Sequence, residues 1–152
     1  MKITKRGEYA LKALLTLAAA SASKKTLSLR EIANSESIPY KFLEQIMGQL
    51  KQSGFLVSSK GQHGGYALSR HSKEITLGEV IRSVEGPLAP IENAKVLQKM
   101  IQTEKEHPGL YAVLLEVRDA VAKILDRKTL ADVCEKSFEL ANSKSSYEMY
   151  HI

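Results

Sequence analysis

The stretch Lys60-Gly61-Gln62-His63-Gly64-Gly65-Tyr66 decides the fold, because it predicts the tip of a β-hairpin. Two short apolar runs flank it, Phe55-Leu56-Val57 and Tyr66-Ala67-Leu68, and each has the length of a short strand. Glycine lets the tip adopt positive φ without a steric penalty. The stretch lacks the Gly-Lys-Ser/Thr ending of a phosphate-binding loop and does not open a helix, so it does not predict a nucleotide site.

Two short helices are predicted immediately before the hairpin. Ser28 and Glu31 form a capping box that starts the first, which ends near Asn34. Pro39 fits the first turn of the second, which runs to about Gln52. A longer, mostly apolar helix over about Lys5–Ala22 precedes both and should be buried on most sides. Two short helices followed by a hairpin indicate a winged helix-turn-helix, a fold that most often binds DNA.

The outward face of the second short helix and the hairpin tip are the candidate DNA-binding surface. The helix face is rich in amides and hydroxyls and poor in acids, which suits reading base edges in a major groove. An ordinary solvated helix face is the alternative. The predicted DNA-binding residues are Tyr40, Lys41, Glu44, Gln45, Gln49, Lys60, Gln62 and His63.

The net charge of +5 is unevenly distributed along the chain. Residues 1–73 contain 12 lysines and arginines against 4 acids, a net charge of +8, whereas residues 74–152 contain 10 against 13, a net of −3. A solvated basic surface would not require this segregation. The asymmetry therefore favours a nucleic-acid-binding module followed by a separate assembly module.

The second half of the chain predicts a long helix suited to dimerisation. A helix capped by Thr76 and Glu79 should end at Gly86-Pro87, and the stretch Leu88–Glu106 is ambiguous, with one possible short helix. The longest helix of the chain is predicted from Pro108 to about Arg127. Its apolar residues recur at heptad-like spacing and predict a homodimer seam, which also matches palindromic DNA sites. The seam is Leu110, Leu114, Val117, Val121 and Ile124.

The expected architecture is mainly α with a small β-hairpin wing. We expect a winged helix-turn-helix domain over residues 1–86, then a linker, a long dimerisation helix and a short helix over residues 87–141, and a mostly polar tail over residues 142–152. The sequence shows no signal peptide and no membrane span, and a single cysteine, Cys134, suggests a reducing compartment, so a cytoplasmic protein is expected. No catalytic triad, carboxylate pair or metal-ligand spacing stands out, so an enzyme is not expected. A winged helix that contacts protein instead of DNA is the more serious alternative.

Several stretches resemble the Rrf-two family of winged-helix transcription regulators, which includes IscR, NsrR and CymR. They lie in the family's order along the chain from Lys2 to about Val133. The resemblance implies a dimeric transcription factor, usually a repressor, that binds double-stranded DNA at a palindromic operator. The matching stretches are Lys5-Arg6-Gly7-Glu8-Tyr9-Ala10, Leu29-Arg30-Glu31-Ile32-Ala33, Phe42-Leu43-Glu44-Gln45-Ile46, Gly64-Gly65-Tyr66, Ile75-Thr76-Leu77-Gly78-Glu79-Val80, Val84-Glu85-Gly86-Pro87 and Leu125-Asp126-Arg127-Lys128-Thr129-Leu130-Ala131-Asp132-Val133.

Many members of this family hold an iron–sulfur cluster through three cysteines in the loop before the long helix. Here that loop has no cysteine, so no cofactor and no metal site are expected. Glu8 and His107 lie near positions that supply ligands in some relatives. Helix-dipole complementation by Glu8 and helix capping by His107 explain both residues without a metal.

Because it lacks the cysteine triad, the chain resembles the CymR-like branch of the family. Members of this branch are repressors of cysteine and sulfur metabolism that respond through cysteine synthase. An orphan repressor with another effector is the alternative. The apolar tip Tyr147-Glu148-Met149-Tyr150-His151-Ile152 resembles the isoleucine end of serine acetyltransferases, which inserts into the active site of cysteine synthase. Tyr150 and Ile152 are therefore the predicted contacts to that partner, with packing of the tail on the dimer as the alternative.

Overall fold

The computed structural model describes residues 3–87 and 93–150, and it has a helical core with a two-stranded wing. The chain forms three helices, the hairpin, a single 3₁₀ turn and four more helices. In chain order these are α1 (Lys5–Ser21), α2 (Leu29–Glu36), α3 (Tyr40–Gln52), β1 (Leu56–Ser59), β2 (Gly65–Leu68), the 3₁₀ turn (Ser72–Glu74), α4 (Leu77–Glu85), α5 (Ala94–Thr103), α6 (Pro108–Leu125) and α7 (Leu130–Tyr150).

Helix α1 lies at the centre of the core. It packs against α3, α4, β2 and α7, so the prediction that it is buried on most sides is confirmed. Leu14 and Leu17 are almost completely buried, as are Ile46 and Leu50 of α3 and Leu130 at the start of α7. One hydrophobic core therefore includes the helix-turn-helix and the first turn of α7.

Helices α2 and α3 form because their ends are satisfied locally. The Ser28 hydroxyl accepts from the Glu31 backbone N–H, and the Glu31 carboxylate accepts from the Ser28 N–H, which is the predicted capping box. Ser37 ends α2 in a left-handed conformation with φ of 53°. Pro39 lies one position earlier than predicted, at the N-cap of α3, and its carbonyl accepts from the Leu43 N–H.

The wing is the predicted antiparallel hairpin, shifted by one residue towards its tip. Leu56 pairs with Leu68 and Ser59 pairs with Gly65. Residue 27 adds an isolated bridge to Tyr66 on the outer side of β2. Gly65 has φ of +154°, and a Cβ there would collide with the Leu27 backbone, so only glycine fits this approach.

The junction between α6 and α7 is anchored to the start of α4. The Leu77 N–H donates to the Lys128 carbonyl at 2.8 Å, and the Leu130 N–H donates to the Ile75 carbonyl at 2.9 Å. The Arg82 guanidinium donates two hydrogen bonds to the Asp126 carboxylate, at 2.6 and 2.7 Å. We call this set of contacts the α4 latch, because it fixes the C-terminal helices to the winged-helix core.

The prediction of a short last helix followed by a tail is wrong for the described residues. Helix α7 has 21 residues and is longer than α6, which has 18. No glycine or proline follows Gly109, so nothing stops the helix, and serine or asparagine inside it costs well under about 1 kcal/mol each. The hydroxyls of Ser137, Ser143 and Ser146 each donate to the carbonyl four residues earlier.

The ambiguous stretch before α6 contains the predicted short helix. Asn93 caps α5 by accepting from the Val96 N–H, and Leu97 is buried where α5 packs against α6. The part of that stretch over residues 88–92 lies outside the described residues. Within residues 3–87 and 93–150, no helix is both long enough and apolar enough to span a membrane.

Candidate nucleic-acid interface

The exposed face of α3 and the wing tip are the two parts of the candidate DNA-binding surface. Lys41, Glu44 and Gln45 are exposed on α3, and the Tyr40 side chain is 41% exposed at its start. The inward residues of α3 are held in the core, which fixes the direction of this face. At the other end of α3 the Lys51 ammonium donates to the Ser58 hydroxyl of β1, so helix and wing are joined directly.

Gln49 does not belong to the exposed face on which the sequence placed it. It is half-buried, and its side-chain oxygen accepts from the Arg6 guanidinium, with Nε at 3.1 Å. Its Nε2 donates to the Ser83 carbonyl at 2.9 Å. The helical rotation turns position 49 towards α1 and α4, and both ends of the amide are occupied. We therefore remove Gln49 from the base-reading candidates and assign it to positioning α3.

Arg30 of α2 is a member of this surface that the sequence interpretation missed. Its guanidinium lies over the Tyr40 ring, 5.4 Å from the centroid, and the side chain is exposed. The stacking holds a cation beside the first turn of the candidate recognition helix. The sequence around Arg30 does not indicate this contact, because Arg30 and Tyr40 lie on different helices and only the turn between them brings the two side chains together.

The wing tip presents polar side chains on a braced loop. Lys60, Gln62 and His63 are all exposed. The Thr26 hydroxyl donates to the His63 carbonyl at 3.2 Å, and the Gly64 N–H donates to the Gly61 carbonyl. Gly61 has φ of +106°, in agreement with the predicted need for glycine at the tip. The tip is therefore attached to the body at residues 26 and 27.

Three carboxylates on α1, α2 and α3 are engaged by ion pairs or hydrogen bonds. Glu44 lies 3.4 Å from the Lys41 ammonium, and both side chains are exposed. Hydrogen bonds from the Ser28 backbone and hydroxyl hold the pKa of Glu31 below its ordinary value. Hydrogen bonds from Lys5 and Lys12 likewise lower the pKa of Glu8. Glu8 therefore lies in the first turn of α1, where its negative charge complements the helix dipole and binds Lys5 and Lys12. This is the structural role that the sequence predicts for Glu8.

Helix α6 carries an exposed apolar stripe, close to the predicted seam but rotated. Exposure reaches 54% for Leu110, 48% for Val117 and 60% for Ile124, whereas the predicted members Leu114 and Val121 are half-buried. Val113 is 56% exposed and replaces Leu114 on the outermost line. Because no residue of α6 is fully buried within one chain, this stripe is a candidate interface.

The donor set does not fit an iron–sulfur cluster. The whole chain has one cysteine, Cys134, which is half-buried on α7 with its Sγ 4.0 Å from the Leu15 carbonyl. A thiolate-held cluster needs several cysteines. Burial also raises the pKa of the Cys134 thiol, which disfavours the thiolate. His107 is exposed at the start of α6 and makes no side-chain cap there, contrary to the capping role expected from the sequence.

The predicted partner-binding residues are only partly described. Tyr150 ends α7 and is 85% exposed, and Met149 beside it is 74% exposed. Ile152 lies outside the described residues. The distal part of α7, from Phe138 onward, contributes no buried residue to the core of this chain.

Comparison with known proteins finds a family model and related regulators that match most of the chain. The family model Rrf2, described as "Iron-dependent Transcriptional regulator", matches residues 3–136. The transcriptional regulator CymR of Bacillus subtilis is 36% identical over 133 residues, covering 88% of this chain and 89% of that protein. The regulator NsrR of Geobacillus kaustophilus is 33% identical over 141 residues, covering 89% and 90%.

The fold comparison agrees with the sequence comparison. The structure of CymR, the global cysteine regulator of B. subtilis, superposes with a TM-score of 0.76 at 32% identity, covering 90% of this chain and 98% of that one. The match includes the winged helix and the helices that follow it. This chain belongs to the Rrf2 family of transcriptional regulators.

Proposed function

We propose that the chain is a dimeric, sequence-specific DNA-binding repressor. The observation that carries this proposal is the exposed α3 face joined to the wing by the Lys51–Ser58 hydrogen bond, with Lys41 exposed on the helix and Lys60 exposed at the wing tip. A recognition helix of this kind fits a major groove, and a basic wing tip reaches a flanking phosphate or minor groove. Membership of a family of transcriptional regulators supports the same function.

Each exposed residue has a distinct proposed role. Gln45 and Tyr40 read base edges, because an amide and a phenol can donate and accept hydrogen bonds. Glu44 accepts from cytosine N4 or excludes bases that present an acceptor. Lys41, Lys60, Gln62 and His63 contact the backbone or groove edges, and Arg30 adds a further cation. Gln49 supports them by holding α3 against Arg6 and Ser83.

The dimer is proposed to form through the exposed stripe of α6. A symmetric pair of these helices would cover Leu110, Val113, Val117 and Ile124 of both copies. Two recognition helices related by a two-fold axis would bind two half-sites of a palindrome about one helical turn apart. Dimerisation therefore adds the contacts of both winged helices to one operator.

Genes of cysteine and sulfur metabolism are the proposed targets. The support is the likeness to CymR, the global cysteine regulator of B. subtilis, over nine-tenths of the chain. We further propose cysteine synthase as a partner that contacts Tyr150 and Ile152. The exposure of Tyr150 at the end of α7 is compatible with such a contact.

A salt titration tests the DNA-binding proposal. Fluorescence anisotropy with duplexes from the promoters beside the gene should show that affinity falls steeply as salt rises, since bound counterions are released. Lys60→Ala should weaken binding to every duplex and reduce the salt slope by about one. Lys99→Ala, at an exposed position on α5, is the matched control and should change neither value. Salt-independent or absent binding would favour a protein-interaction module instead.

Calorimetry tests the cysteine synthase contact separately. The full chain should bind the synthase of the same organism, and variants lacking Ile152 or carrying Tyr150→Ala should bind it more weakly. O-acetylserine should compete, because it occupies the same substrate pocket. Equal binding by all forms, or by none, would contradict this partner and leave the DNA-binding proposal intact.

A further inference from the structure

A cleft of about 670 Å³ lies between the base of the wing and the start of α7. Its walls come from the end of α1, the loop after it, strand β2 and the first turns of α7. Leu17, Ala67, Leu68 and Ala131 give it an apolar lining. The volume lies within the range of small-molecule sites, which also combine an apolar lining with a few polar groups. Its lining includes no residue of α3, but it meets the wing through Ala67 and Leu68 and through Thr26, whose hydroxyl donates to the His63 carbonyl of the tip.

The rim of the cleft is cationic. Lys24, Lys25, Arg70, His71 and Lys73 line it, and no acidic side chain does. Arg70 is already engaged, because its guanidinium donates to Glu79 at 2.8 Å and to the Glu74 carbonyl. The three lysines are exposed and form no ion pair within the part of the chain that the structure describes. The Lys25 charge also helps to lower the pKa of Glu31, whereas the charges of Lys24 and Lys73 are available to a ligand.

Local backbone structure presents these cations to the cleft. Lys24 has φ of +52°, and the Lys24 and Lys25 N–H groups donate to the Ser21 and Ala20 carbonyls at the end of α1. On the opposite side, Nδ1 of His71 accepts from the Lys73 N–H at 3.1 Å. That bond leaves Nε2 as the protonated nitrogen of the neutral ring, so His71 offers a donor even when uncharged.

We propose that this cleft binds a small organic carboxylate. The carboxylate would be held by Lys25, Lys73 and His71 at the rim, and the apolar body would cover Leu17, Ala67 and Ala131. An apolar lining beneath a purely cationic rim favours this class over a phosphodiester backbone, which has no apolar part to bury, and over an amine, which the rim would repel.

The position of the cleft gives the ligand a route to regulation, and this part rests on the proposed function. Strand β2 continues into the wing tip, whereas Ala131 and Cys134 belong to the helix that follows the dimerisation stripe. A bound carboxylate would contact both units at once. The ligand changes the protein's affinity for the operator only if it binds the free protein and the DNA-bound protein with different affinities. The ratio of those two ligand affinities sets the size of the change.

The test is a titration of the full chain labelled with ¹³C at alanine methyls, with octanoate and benzoate as probes. Saturable shifts are expected at Ala18, Ala67 and Ala131, which line the cleft, and not at Ala112 or Ala120 of α6. 1-Octanol and octylamine, which lack the carboxylate, should bind far more weakly. Lys25→Gln with Lys73→Gln should raise Kd about tenfold, whereas Lys99→Gln on α5 should leave it unchanged.

The outcomes separate the site from the alternatives. Absence of saturable shifts with both carboxylates, equal binding of octanol or octylamine, or an unchanged Kd in the double variant would each overturn the proposal. A separate anisotropy titration of the double variant with DNA identifies one alternative: weaker DNA binding by the variant, with no carboxylate shifts in the wild-type chain, would make the lysines phosphate contacts and overturn the site. Unshifted resonances of the core residues Ala10 and Ala13 would show that each variant is folded. The carboxylate titration contains no DNA, so its result is independent of the DNA-binding proposal.

Discussion

At the scale of single residues, Gln45 and Gln49 lie one helical turn apart on α3 and have different surroundings. Gln45 is exposed, whereas Gln49 is half-buried with its amide bonded to Arg6 and Ser83. We therefore propose that the same residue type serves recognition at position 45 and support at position 49. This pair allows the two roles to be separated by experiment.

We expect Gln45→Ala to lose discrimination at one base pair of the operator, by about 1–3 kcal/mol, with little change in thermal stability. Gln49→Ala should instead lower the melting temperature, because the Arg6 guanidinium and the Ser83 carbonyl lose their partner. It should weaken binding to all sequences alike. Binding to a set of single-base operator variants, together with thermal unfolding, measures both effects. A change of base preference in Gln49→Ala alone would reverse the assignment.

The sequence predicts the helices and the hairpin that carry the candidate surface, but not the surroundings of each side chain on it. Capping residues and glycines act locally, so the helix starts and the hairpin followed directly from Ser28, Thr76 and the Gly61–Gly65 segment. The side of α3 that faces the core depends on how α3 packs against α1 and α4. The sequence of α3 alone therefore does not show that Arg6 binds Gln49. Arg30 was missed for the same reason, since its partner Tyr40 lies on another helix.

At the scale of elements, the α4 latch determines how the C-terminal helices are attached. Asp126 lies beside the start of α4, and a Cβ at Gly78 would collide with its carboxylate, so the two segments approach as closely as glycine permits. The hydrogen bonds from Arg82 hold the pKa of Asp126 below its ordinary value of 3.8. The pair is partly exposed, so its contribution to stability is about 1 kcal/mol or less.

Asp126→Asn should therefore lower the melting temperature at neutral pH by up to about 4 °C. A carboxyl group whose pKa is lowered in the folded state stabilises the fold at pH values above its ordinary pKa. That stabilisation is lost as the pH falls through the folded-state pKa. The difference between wild type and variant should thus shrink below pH 3.8. Thermal scans across pH provide the measurement, with Glu116→Gln on the exposed side of α6 as the control. A difference that is constant down to low pH would show that the ion pair does not contribute.

The length of α7 was the largest error of the sequence interpretation at this scale. The second half of α7 has little apolar periodicity, and its polar composition predicts a tail with no regular structure. The structure shows that an uninterrupted run without glycine or proline continues the helix, and that serine hydroxyls bond within it. Three of the five predicted seam residues lie on the exposed stripe of α6, whereas Leu114 and Val121 are half-buried and Val113 is exposed. Packing of α5 against α6 determines which side of α6 is covered.

At the scale of the whole molecule, the exposed stripe of α6 predicts the oligomeric state. Val117→Asp should convert the dimer to a monomer, since it places an unpaired charge in the centre of the interface of each copy. We expect the dimer Kd to rise at least a hundredfold, corresponding to roughly 3 kcal/mol or more. Sedimentation at micromolar concentration measures this. Lys123→Asp changes the charge on another side of α6 and should remain dimeric; a monomeric wild type would contradict the proposed interface.

The central claim is that two copies of the α3 and wing surface read a palindromic duplex. Selection from a pool of random double-stranded DNA, followed by sequencing, tests it most directly. The account predicts an enriched palindrome whose half-sites lie about one helical turn apart, and the loss of that enrichment for Val117→Asp. Recovery of no common sequence, or of a single unrepeated half-site by the wild type, would contradict it.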